Sequence, residues 1–152
     1  MADTCRIVAL GGLGEVGKNM TVYECDDAIV VVDAGLAFPR DEHLGVDLVL
    51  PDFSYLRERA SSIKAVILTH GHEDHVGSLP YLMREVPIPE VWATRLTLGL
   101  VKSKLDEHGL LRAAELREVH PDDPARELGP VAWPLAWRSF HADPCFVADH
   151  RV

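Results

Sequence analysis

Cysteine is scarce in this chain: three in 152 residues, Cys5, Cys25 and Cys145, none of them in a C-x-x-C pair. That spacing indicates neither the disulfide framework of a small secreted domain nor a thiolate zinc site, and the three are read as reduced thiols. Long hydrophobic runs are also missing. No apolar stretch approaches the ~18 residues of a membrane span, and M-A-D-T-C-R lacks the basic start and apolar run of a secretory signal. A soluble, cytoplasmic protein with no membrane partner is expected. Basic charge is short too, with 15 Lys and Arg against 24 Asp and Glu, a net charge of -9. This excludes a general basic surface for holding nucleic acid. It leaves room for a nucleic-acid substrate met through bound divalent ions, which reverse the field inside a single cleft.

What is present is enough apolar material, 47% of the residues, for one domain with a real core. Residues 8–19, V-A-L-G-G-L-G-E-V-G-K-N, fit two phosphate-binding fingerprints at once. Gly12, Gly14 and Gly17 spell G-x-G-x-x-G. Gly12 through Lys18 spell a P-loop, with Asn19 in place of the magnesium-binding Ser or Thr. Both fingerprints require a helix to follow, because its N-terminal amides carry the phosphate. Here residues 20–25 (M-T-V-Y-E-C) alternate, Asp26-Asp27 is a turn, and residues 28–32 (A-I-V-V-V) are an apolar β-branched run. The pattern predicts a hairpin, so the glycine stretch is not a nucleotide cradle.

Further along, residues 35–52 read as a long loop and residues 55–62 as a short charged helix. Residues 63–68 (I-K-A-V-I-L) read as a buried strand. Helices are expected over 77–85 and 94–108, the second stopped by Gly109, with strands at 91–93, 116–119 and 131–137.

The buried strand delivers T-H-G-H-E-D-H at residues 69–75, in which His70, His72, Asp74 and His75 form H-x-H-x-D-H. Neutral imidazoles and a carboxylate suit zinc, manganese or iron(II). Neither strand nor helix aims all four one way, so the motif is expected as a tight turn permitted by Gly71. Such a turn can put His70 and His72 on one ion and Asp74 with His75 on a neighbour. Two ions would supply a low-pKa water and neutralise an oxyanion. His43, His108 and His120 suit solvated or capping roles, whereas His141 could add a ligand from a neighbouring strand end.

H-x-H-x-D-H after an apolar strand resembles the metallo-β-lactamase superfamily, which implies an α/β fold, the αβ/βα sandwich with a dinuclear site at its sheet edges. The stretches A-L-G-G-L-G-E-V-G-K-N-M, V-V-D-A-G-L-A-F-P, G-V-D-L-V-L-P-D, I-L-T-H-G-H-E-D-H-V-G-S-L-P-Y-L and L-T-L-G-L-V-K-S-K-L-D-E-H-G-L-L, in that order, resemble the bacterial ribonuclease J family of β-CASP ribonucleases. The resemblance runs from about residue 6 to 129. It implies a metal-dependent ribonuclease, 5′-to-3′ exonucleolytic and endonucleolytic, acting in RNA processing and decay. It also implies an RNA substrate and, for full-length members, homo-oligomers. By matching position, His70 and His72 hold one ion and Asp74 and His75 the second. Asp74 also orients the attacking water, Asp33 is a supporting residue, and His141 is the next ligand. The cofactor expected is two divalent ions, zinc first, with manganese or magnesium as alternatives.

Residues 1–131 thus read as the N-terminal part of the lactamase domain, and residues 132–152 as an atypical tail such as truncation or a frameshift leaves. The family's β-CASP and C-terminal domains have no counterpart in this sequence. Two other readings stand beside the ribonuclease: an inactive metal-binding fragment that needs a partner chain, and another hydrolase of the lactamase fold.

Overall fold

The computed structural model describes residues 4–39 and 44–120 and the backbone of two short strands at 127–128 and 131–132. Strand β1 (Cys5–Gly11), β2 (Met20–Cys25) and β3 (Ala28–Val32) form the antiparallel start of the sheet. The turn between β2 and β3 is the Asp26-Asp27 pair, with Asp26 at φ 51, a conformation Asp tolerates because its short side chain bonds locally.

Next come β4 (Ile63–Ile67), β5 (Glu90–Ala93) and β6 (Glu115–Glu118), parallel to β3 and to one another, so the six strands lie in the order β1-β2-β3-β4-β5-β6. Parallel neighbours need crossovers, and helices supply them. Helices α1 (Ser54–Arg57), α2 (Glu73–Val76), α3 (Leu79–Glu85) and α4 (Arg95–Glu107) lie between these strands in sequence. A final hairpin of β7 (Glu127–Leu128) and β8 (Val131–Ala132) forms a separate two-stranded pair.

Alternation along the strands sorts the core into two faces. Met20, Val22, Ile29, Val31, Val66, Leu68 and Val91 meet Leu79, Leu82, Leu98 and Val101 from α3 and α4 in the main cluster. Val30, Val32, Ala65, Ile67 and Trp92 form a second cluster on the other face. Every residue of β3 is buried, which explains why its sequence is apolar throughout rather than alternating.

Two expected helices differ in extent. The segment at 55–62 is the single turn α1 followed by a 3-10 turn at Ala60–Ser62, because Arg59 leaves the helical region at φ -123. The helix expected at 77–85 begins with α2, inside the histidine motif, and resumes as α3. Pro80 stands in the first turn of α3, where its missing N–H has no helical partner to lose. The strand expected at 131–137 is described at Val131–Ala132. His43, Cys145 and the expected ligand His141 lie outside the described residues.

Candidate metal centre

Strand β4 ends at Ile67, and the chain then turns outward at the sheet edge. His70 is buried at 8% exposure, while His72 is exposed and Asp74 and His75 are intermediate. The turn is tight only as far as His72. Glu73 opens α2, with His72 at its N-cap in extended backbone (φ -72, ψ 149). Gly71 is not held to glycine by backbone conformation. Its φ is not positive, but a Cβ there would come within 2.4 Å of Leu100 Cδ1 on α4.

The imidazoles gather. The ring centres of His70 and His72 are 4.5 Å apart, and those of His70 and His75 are 4.0 Å apart. Behind them stands Asp33, directly after β3 at φ 63. Its carboxylate takes a hydrogen bond of 2.7 Å from His75 Nδ1 and accepts from the Thr69 N–H at 2.8 Å and the Thr69 hydroxyl at 2.9 Å. The same hydroxyl lies 3.0 Å from His70 Nδ1. Because Thr69 directs its one hydroxyl proton to Asp33, the hydroxyl oxygen accepts from His70. The network therefore assigns protons to Nδ1 of both His70 and His75 and leaves both Nε2 atoms unprotonated, that of His75 accepting from Asn19 Nδ2. Burial pushes the His70 pKa below the ordinary imidazole value, His75 adds to the effect, and Asp33 opposes it. Neutral imidazole is the form that binds a cation.

Asn19 closes the site from the glycine loop. Its Nδ2 lies 3.0 Å from the Asp74 carbonyl, 3.3 Å from Asp74 Oδ2 and 3.2 Å from His75 Nε2. Backbone bonds tie the same elements together. Asn19 N–H donates to Asp74 O, Gly35 N–H to Asn19 O, Ala34 N–H to His75 O and Leu36 N–H to Glu73 O, at 2.8–3.1 Å. The segment after β3 is thus clamped between the glycine loop and the histidine motif. The glycine stretch is followed by a hairpin, as expected, and does not open a helix, and its last residue, Asn19, reaches the motif.

Sequence reasoning named Asp33 only as a supporting residue, and it missed Asn19 and the hydroxyl of Thr69. The signal for Asn19 was its departure from the P-loop pattern.

The donor chemistry fits a divalent ion. Two imidazoles present Nε2, a carboxylate adjoins them, and Asp33 backs His75 in the way a carboxylate fixes a metal-binding histidine. The assembled geometry goes less far: among the described residues no three His, Cys, Asp or Glu side chains are placed to hold a metal ion together. Asn19 Nδ2 stands where the His75 Nε2 lone pair points.

A sheet with helices crossing between parallel strands, bearing H-x-H-x-D-H at a strand end, defines a class. The metallo-beta-lactamase superfamily model matches residues 13–135, and the chain belongs to that superfamily. More particularly, it is similar to ribonuclease J2 of Bacillus subtilis, 51% identical over 118 residues that make up 78% of this chain and 21% of that protein. It is 50% identical over 127 residues to ribonuclease J of Thermus thermophilus, with 80% of this chain and 22% of that protein covered. The chain therefore spans about a fifth of the length of the curated relatives it matches. Its fold is similar to that of zinc-bound PqqB from Methylobacterium extorquens, with a TM-score of 0.54 at 16% identity, covering 82% of this chain and 48% of that one.

Proposed function

We propose that this chain carries the first part of the metal-binding site of a ribonuclease acting on RNA phosphodiesters, 5′-to-3′ and internally, in RNA processing and decay in the cytoplasm. The observation that carries this reading is the Asp33–His75–Asp74 arrangement at the end of the histidine motif, in a chain about half identical to ribonucleases J over its matched residues. His70 and His72 would hold one divalent ion and Asp74 with His75 a second, zinc first and manganese or magnesium as alternatives, with His141 as a further ligand. Bound ions of this kind offset charge at phosphorus and lower the pKa of the attacking water. Asp74, with its side chain 38% exposed, accepts a hydrogen bond from that water and aims it. Asp33 keeps the His75 proton on Nδ1. Homo-oligomers, as the family resemblance implies for full-length members, belong to this reading too.

The test is cleavage of 5′-labelled single-stranded RNA by the purified chain with manganese or zinc. Metal-dependent shortening, reduced about 10²–10⁴-fold in Asp74→Ala as for loss of a proton-handling group, supports the reading. Intact RNA with every metal ends it for the chain on its own. Beside it stands a second reading, an inactive metal-binding fragment that needs a partner chain. A calorimetric count separates the two: two tightly held ions per chain support the ribonuclease, and one weakly held ion supports the fragment.

A further inference from the structure

Cys5 and Cys25 stand far apart in sequence, yet they are directly opposed residues of the β1–β2 ladder. Opposed residues in an antiparallel pair have Cα atoms about 4.5–5.5 Å apart and side chains on the same face. That falls inside the ~4.4–6.8 Å a disulfide spans. No disulfide joins them, Cys5 is exposed, and Cys25 is half-buried. The neighbouring pair on that face, Ile7 opposite Tyr23, leaves Ile7 65% exposed, so a small reagent can approach Cys5 along the open strand. Among the described residues β1 is the edge of its sheet, with β2 as its strand neighbour.

We propose that Cys5 and Cys25 form a redox modification site, a dithiol that low-molecular-weight disulfides oxidise to a reversible staple across β1 and β2. The Cys5 thiolate attacks one sulfur of the small disulfide, breaking its S–S bond, forming a mixed disulfide at Cys5 and releasing one thiolate. The Cys25 thiolate then attacks Cys5 Sγ, forms the Cys5–Cys25 bond and expels the second small thiol. The protein loses two protons and two electrons, and the small disulfide gains them as two thiols. Disulfides at exposed positions are more readily reduced than buried structural ones, which suits a switch rather than a permanent brace. The staple lies at the end of the β1–β2 ladder remote from the glycine loop. Its direct effect is to pin the edge strand without touching the histidine motif.

The experiment uses the whole chain with Cys145→Ser, so that only this pair of thiols remains, treated with oxidised glutathione and then acid-quenched. The expected product has lost the mass of two hydrogens, has no titratable thiol, and yields a tryptic fragment linking Cys5 to Cys25. Reduced glutathione restores both thiols. With Cys25→Ser added, a glutathione adduct persists on Cys5. The equilibrium constant for the staple is at least ~10-fold larger in the folded chain than in guanidinium, because pairing raises the effective thiol concentration. A persistent adduct in the Cys145→Ser chain, linked dimers, two surviving thiols, or equal constants folded and unfolded would each overturn the proposal.

Discussion

At the residue scale, Asp33 ties the end of β3 to the histidine motif through Thr69 and His75. It occupies a left-handed backbone position, accepts from the N–H and the hydroxyl of Thr69, and accepts the hydrogen bond of His75 Nδ1–H. Asp33→Asn is a clean probe, since Asn accepts the same backbone conformation at little cost while the charge is lost. One amide oxygen can still receive the Thr69 bonds, but the imidazole loses its anionic partner. We expect metal affinity to fall about 10–100-fold, as for other carboxylates behind metal-binding histidines. Stability should fall by about 1–3 kcal/mol, the range for a buried polar group losing its partner. Calorimetry and urea unfolding read the two effects separately, and unchanged affinity would mean that Asp33 braces the turn without tuning His75. The sequence showed this Asp as a supporting residue through the family resemblance, without its partners. Its bond to His75 joins residues brought together by the parallel β3–β4 pairing, which no local pattern displays.

At the element scale, the elements with strong periodicity were legible: the hairpin from its alternation and its Asp-Asp turn, β4 from its apolar content, and α4 (Arg95–Glu107) from its spacing and Gly109. The histidine motif was legible as chemistry and less so as shape. Its second half is helical, and Gly71 does not adopt a left-handed turn. The more demanding glycine is Gly35, which in the sequence stands only as one residue of V-V-D-A-G-L-A-F-P. A Cβ at Gly35 would lie 1.6 Å from the carbonyl oxygen of Asp74 and 2.8 Å from the backbone nitrogen of Asn19. Neither atom can yield without moving the clamp. At Gly14, by contrast, φ is +69 and no heavy atom lies within 4 Å. Gly35→Ala is therefore expected to cost at least ~3 kcal/mol, the upper range for overpacking, and to displace Asp74. Gly14→Ala should cost only the ~1–2 kcal/mol of a left-handed alanine. Denaturant midpoints of the two variants check this, and equal costs would mean that the clamp has slack.

At the scale of the whole molecule, strand order was not readable, since it arises from crossovers that bury both faces of β3 and β4 at once. The charge balance was readable, and it sets a condition on how this chain can meet RNA. With a net charge of -9, the surface as a whole repels a polyanion, and several of its cations are already engaged: Arg57 with Glu85, Lys104 with Glu73, and Arg117 with Glu115. Affinity that came from lysine and arginine on phosphates would release counterions and fall steeply with salt, with a slope of about -0.7 per phosphate contact on a single strand. Affinity routed through a metal cleft would depend on the ion first and on salt second. We therefore expect fluorescence anisotropy with a labelled single-stranded RNA to show no binding by this chain in chelator at ~0.15 M salt, where the screening length is about 8 Å. Binding should return on adding manganese or zinc, and Asp74→Ala should weaken the return. Tight, chelator-resistant binding with a steep salt slope would refute the metal-first account and place the RNA on a basic surface instead.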